Sequence, residues 1–155
     1  MGQRRDAWKQ PLPESGIKMS VAKIKGRVVM KGNVEAEALV SQEPLSLGYI
    51  DENGAIADRM HYLSGEVIKD RILVLPGLKG SAMQELNLVD LLRNRRAPKG
   101  IIALEADTRL LTAALFSEIP TMDKLETNPL EVIKTGDIVH MNADKGFVEI
   151  KKSAS

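Results

Sequence analysis

The stretch Arg71-Ile-Leu-Val-Leu-Pro-Gly-Leu-Lys-Gly-Ser81 decides how this 155-residue chain folds. Ile72 to Leu75 form a short unbroken apolar run, the pattern of a strand covered on both faces. Pro76 and Gly77 stop it, and from Ser81 a helical pattern reaches to about Asn94. Leu86, Val89 and Leu92 are expected along one side of that helix, with Leu88 and Leu91 beside them. A second strand and helix follow. Ile101-Ile-Ala-Leu104 is another buried run, and Thr108 to Ser117 is a helix with Leu110, Leu111, Ala114 and Leu115 as its apolar face. Alternating strands and helices of this kind imply parallel strands joined by crossover helices.

The flanks read differently. Ala22 to Lys31, the turn Gly32-Asn33 and the period-two run Val34 to Val40 are expected to form a β-hairpin. Asp137 to Met141 and Phe147 to Ile150, joined by Asn142-Ala-Asp-Lys-Gly146, give a second hairpin. Between the first hairpin and the buried strand, Ser41 to Gly65 is a polar loop with the turn Asp51-Glu-Asn-Gly54 and short strands around Ile50 and Ile56. Asn128-Pro-Leu-Glu131 carries an N-cap residue, a proline at the first helical position and a glutamate three residues after the cap, with Gly136 expected to close that short helix. Residues 1–20 hold Pro11, Pro13, Ser15 and Gly16 without periodicity and read as a tail. The expectation is one α/β domain over residues 21–152, a mixed sheet with terminal hairpins.

Composition narrows the function. With 43% hydrophobic and 28% charged residues the chain is an ordinary globular domain. Its 22 basic and 21 acidic residues leave a net charge of +1, which removes the global electrostatic case for binding nucleic acid or an anionic membrane. Trp8, Tyr49, Tyr62, Phe116 and Phe147 are too few for a base-stacking platform. There is no cysteine, so the chain alone supplies no disulfide, zinc-thiolate site, thiol nucleophile or iron–sulfur cluster. No apolar run approaches the roughly 20 residues of a membrane span, and a cytoplasmic location is expected.

Chemistry is expected at the turn that follows Leu75. A buried strand passing through glycines into a helix start aims free backbone N–H groups at a ligand, and the carboxyl end of a parallel strand is the usual binding crevice. Lys79 adds a cation and Ser81 a hydroxyl. The spacing is not that of a Walker A loop, and Ser81 with Gln84 is also a capping box, which explains both without function. Glu105-Ala-Asp107 follows the second buried strand, with Asp107 or Thr108 as a helix cap. Asp58-Arg59-Met60-His61 puts three ionisable groups in a loop. His61 and His140 lack the spacing of a metal site, and His140 reads as a sheet residue.

Several segments together resemble a known family. They include Ile24-Lys-Gly-Arg-Val28 with Gly32, Glu35-Ala-Glu-Ala-Leu-Val-Ser41, Asp58-Arg59 with His61 and Gly65, and Pro76-Gly-Leu-Lys-Gly-Ser81. Ile119-Pro-Thr-Met-Asp-Lys-Leu125 and Lys134-Thr-Gly-Asp137 with Asn142-Ala-Asp144 extend the match across residues 23 to 150. The combination resembles the small subunit, or swivel domain, of the aconitase X family.

That resemblance implies a swivelling β/β/α domain that closes over a separate large catalytic subunit. The large subunit would carry an iron–sulfur cluster, and this chain no cofactor of its own. It implies a hydro-lyase whose substrate is a small hydroxy acid such as mevalonate 5-phosphate or cis-3-hydroxy-L-proline. Ser81 would be the base that takes a carbon-bound proton. Lys79, Gly80 and Arg59 would bind substrate, and Asp58, His61 and Glu105 are further candidates for the site. Relatives continue past this serine with serine, threonine and glycine, whereas this chain reads Ala82-Met-Gln-Glu-Leu. A silent regulatory or scaffold subunit therefore stays open. So does a phosphohistidine carrier, since those also use swivelling β/β/α domains, although neither histidine lies in the glycine-rich Ser-His-Ala context carriers need.

Overall fold

A computed structural model describes residues 19–80 and 84–153. In chain order its elements are β1 (Met19–Lys25), β2 (Arg27–Met30), β3 (Asn33–Val40), β4 (Ile72–Leu75), α1 (Gln84–Arg93), β5 (Gly100–Ala103), α2 (Thr108–Ser117), β6 (Thr121–Asp123), α3 (Pro129–Val132), β7 (Ile138–Asn142) and β8 (Phe147–Ser153). The strands lie in the order β1-β8-β7-β3-β4-β5-β6-β2. The two outermost strands, β1 and β2, are separated in the chain by Gly26 alone, so the sheet curls almost into a barrel.

The central strands are parallel, and their side chains explain the unbroken apolar runs. Leu73 and Leu75 of β4 and Ile101 and Ala103 of β5 enter one core with Leu88, Leu91, Leu110 and Ala113 of the two longer helices. Ile72, Val74 and Ile102 point the other way, into a second core with Val139, Met141, Val148 and Ile150 of the antiparallel strands and with Leu130 and Ile133. Both faces are dry, which is why no polar residue interrupts β4 or β5. The expected mixed α/β architecture, two β layers and a helical one, is present.

β3 joins the layers. Its residues Asn33 to Glu37 pair antiparallel with β7, and Ala38 to Val40 pair parallel with β4. The N-terminal segment departs from the expected hairpin here. Val28 and Met30 pair with β6, and β1 pairs with β8, so no hairpin forms across Gly32-Asn33. The C-terminal hairpin β7–β8 forms as expected. β1 starts at Met19, and the rest of the segment read as a tail lies outside the described residues.

Helix faces also differ from the periodicity reading. Leu88 and Leu91 are buried on α1, but Leu86 and Leu92 are about half exposed, and on α2 Leu110, Ala113, Ala114 and Ser117 face inward while Leu111 and Leu115 face water. The N-caps expected before α2 and α3 form. Asp107 accepts the Leu110 N–H at 3.1 Å and Asn128 accepts that of Leu130 at 2.9 Å. Gly136 (φ 99°) does not close α3, which ends at Val132; it serves the turn Lys134–Asp137 and donates its N–H to Ala38. In place of the short strands expected around Ile50 and Ile56, these two residues form a single antiparallel bridge around Gly54.

Gly32 has φ 151°, and a Cβ there would run into the ring of Pro120. Gly32→Ala is expected to cost about 2 kcal/mol, since both the backbone and a rigid neighbour resist it. Denaturant unfolding checks this, and an unchanged midpoint would refute it.

Candidate active site

The carboxyl ends of β3, β4 and β5 open on one rim. Segment 41–45 leaves β3 beside the end of β4, with the Ser41 N–H on Val74 and the Lys79 N–H on Leu45. That backbone pairing carries the loop Pro76–Gly80 past the end of its strand and fixes Lys79. The Lys79 ammonium is half exposed, 3.7 Å from Asp58. At this separation the contact is charge attraction more than a hydrogen bond, and among the described residues no hydrogen bond takes the ammonium's N–H donors. Asp58 is itself oriented by its Oδ1, which accepts the Met60 N–H at 3.0 Å.

His61 is buried beneath this loop. Its Nδ1 accepts the Leu63 N–H at 3.1 Å, which leaves the proton on Nε2, 3.4 Å from Ser41 Oγ. The Ser41 hydroxyl donates in turn to the Glu43 carbonyl at 2.6 Å. His61 therefore ties the 58–63 turn to the end of β3. It is a strut behind the rim, not a group facing it.

The remaining expected residues divide. Arg59 is exposed and makes no hydrogen bond or ion pair among the described residues. Glu105 turns to Lys124 at 3.8 Å, and is not brought to Lys79. Ser81 lies outside the described residues. Gly80, with φ 102°, presents its carbonyl to Arg109 Nη1 at 2.9 Å.

Arg109 is a residue that sequence reasoning missed. Its Nε and Nη2 also hold Asp107 Oδ2 at 3.2 and 3.1 Å. One signal was available: α2 has no acidic residue in its first turn but carries this arginine there, against the helix dipole. Asp123 was missed too. It has no exposed surface, and it receives Arg27 in a two-point pair at 2.8 and 2.7 Å and the Ala106 N–H at 2.7 Å. Burial acts to raise its carboxyl, but the Arg27 and Ala106 donors outweigh that and hold it below the ordinary carboxylate range.

A cavity of about 740 Å³ lies elsewhere, at the amino ends of β4 and β5, lined among others by Lys69, Asp70, Arg95, Lys99 and Glu118. It lies at the end of the sheet opposite the Pro76–Gly80 loop. Among the described residues no helix is long and apolar enough to cross a membrane.

A family model of the aconitase X swivel domain matches residues 23–150. The phosphomevalonate dehydratase small subunit of Methanosarcina acetivorans is 39% identical over 132 residues, covering 84% of this chain and 92% of that protein. The protein of the same name from Thermococcus kodakarensis is 42% identical over 130 residues, covering 83% and 96%. The crystal structure of Thermococcus kodakaraensis aconitase X in its holo-form superposes with a TM-score of 0.77 at 39% identity, over 83% of this chain and 98% of that one. The rim built on β4, the two β layers and these matches along nearly the whole of each relative lead to one conclusion: this chain belongs to the aconitase X swivel domain family.

Proposed function

We propose that this chain is the small subunit of a phosphomevalonate dehydratase, completing with a large subunit a site that removes water from mevalonate 5-phosphate. One observation carries the reading: the Pro76–Gly80 loop, held at the carboxyl end of a parallel strand with Lys79 on its rim, occurs in a chain alignable almost end to end with small subunits named for that reaction.

Dehydration of a 3-hydroxy acid breaks a C–H bond beside the carboxylate and the C–O bond of the neighbouring hydroxyl. In this reading Ser81 takes the proton. A serine is a weak base unless its alkoxide is stabilised, and the start of α1 and the Lys79 ammonium are the groups of this chain that can do so. Closure of the two subunits would exclude water and strengthen both. The chain's own donors do not fit an iron–sulfur cluster: it has no cysteine, and the described residues contain no group of three His, Asp or Glu side chains able to hold a metal. The cluster implied by the family belongs in this reading to the large subunit.

The carrier alternative loses ground on geometry. His61 has both ring nitrogens engaged inside the fold, and His140 is held between Glu149 at 2.9 Å and Asn33 at 2.6 Å. Neither presents an unengaged nitrogen to a phosphoryl donor.

The test is anaerobic co-purification with the cognate large subunit, followed by mass spectrometry of mevalonate 5-phosphate and, separately, of cis-3-hydroxy-L-proline. Loss of one water from the first supports the proposal. Turnover of the second alone would reassign the substrate, and turnover of neither by a cluster-loaded pair would favour the scaffold role.

A further inference from the structure

We propose that Arg109 is a positioning residue that fixes the peptide plane of the Gly80 carbonyl at the end of the β4 loop. The inference rests on the dehydratase reading above and concerns how the rim is held, not which group reacts.

The guanidinium bridges two loops that follow neighbouring parallel strands. Nη1 donates to the Gly80 carbonyl across 29 positions of sequence, while Nε and Nη2 grip Asp107 Oδ2. Asp107 cannot swing to follow, because its other oxygen caps α2 at Leu110. The turn that carries it is anchored through the Ala106 N–H to Asp123, which is buried and held by Arg27. A continuous set of charge-assisted bonds thus runs from β2 through β6 and the turn after β5 to one carbonyl at the end of the β4 loop.

That carbonyl matters because a peptide unit is planar. Fixing the oxygen of residue 80 fixes the plane of the peptide joining residues 80 and 81. Gly80 has φ 102°, a conformation that glycine adopts freely and does not hold by itself. The restraint has to come from outside, and Arg109 supplies it. Helix stability does not explain the residue, since a cation in the first turn opposes the dipole.

The experiment uses the assembled two-chain enzyme carrying Arg109→Ala, Arg109→Gln or Arg109→Lys, compared at a temperature where all remain folded. Arg109→Ala and Arg109→Gln are expected to lower kcat about tenfold, with KM for mevalonate 5-phosphate changed by less than about twofold. Arg109→Lys should recover only part of the rate, because an ammonium on a flexible stem cannot hold Gly80 and Asp107 in one fixed fork. In parallel, hydrogen exchange of peptides covering residues 76–90 should quicken in the alanine and glutamine variants while the rest of the domain is unchanged.

Unchanged kcat would overturn the proposal. So would a raised KM at constant kcat, which would make Arg109 a substrate contact. Exchange needs no turnover, so it separates the two failures. If the wild-type pair does not act on mevalonate 5-phosphate but residues 76–90 loosen in the variants, the dehydratase reading fails and the clamp stands. If exchange is unaltered, the clamp fails whatever the substrate.

Discussion

Ser81→Ala, in the chain assembled with its large subunit, is expected to lower turnover of mevalonate 5-phosphate by about a hundredfold or more. Two roles are available to this serine, and they predict different outcomes. As a helix cap it contributes about 0.5–2 kcal/mol of stability, and its loss would leave the rate nearly intact wherever the variant stays folded. As the base it governs the rate with little effect on substrate binding. Ser81→Thr separates the two, because threonine also caps. Threonine should restore the melting temperature but not the full rate, since its added methyl displaces the hydroxyl in a closed site. An alanine variant with ordinary turnover would end the catalytic assignment.

The second large effect is on stability. Asp123→Ala is expected to destabilise the domain by roughly 3 kcal/mol, somewhat under the loss for a fully buried pair because Arg27 is half in water. The variant leaves the Ala106 N–H without its acceptor and cuts β2 loose from β6 at one point. Asp123 also gives the domain an acid limb. Its carboxyl titrates lower in the folded chain than in the unfolded one, so the stabilisation is complete above the unfolded value near pH 4. It declines as the pH falls through the folded value. Asp123→Asn, which cannot titrate, should therefore trail the wild type at pH 7 and converge on it in acid. Urea unfolding across pH 7 to 3 measures this, and a gap constant over that range would show that the carboxylate is not the source.

Much of the architecture was legible because it is encoded locally. Ile72–Leu75 and Ile101–Ala103 announce strands covered on both faces, although Leu104, read with the second, lies past its end; Asn128 and Pro129 start a helix by their own chemistry, and Asn142–Gly146 makes its own turn. What strands pair with is another matter. Nothing in Ile24 or Val28 says that their partners lie more than 90 positions away in β8 and β6, and the adjacent Gly32-Asn33 invites the wrong local pairing. Periodicity also treats every leucine as core, so the outward Leu86, Leu111 and Leu115 were indistinguishable from Leu88 and Leu110. Lys79, Gly80 and Asp58 are candidates that their own loops suggest. Arg109 left only one trace, a cation in a helix's first turn, and Asp123 none, because both join segments that only the finished sheet brings together.

The pairing of β1 with β8 bears on how the domain comes off the ribosome. Met19 lies opposite Ser153, so β1, which opens the described strands, has its neighbour in β8, which closes them. Helical units such as β4-α1-β5 can begin to collapse as they emerge, since their contacts are close in sequence. β1 has to wait with an unpaired edge until β8 has been synthesised, a span of well over a hundred residues. At about 5–20 residues per second that interval lasts on the order of ten seconds. Through it the nascent chain carries an exposed strand edge, the feature most prone to pairing with another chain.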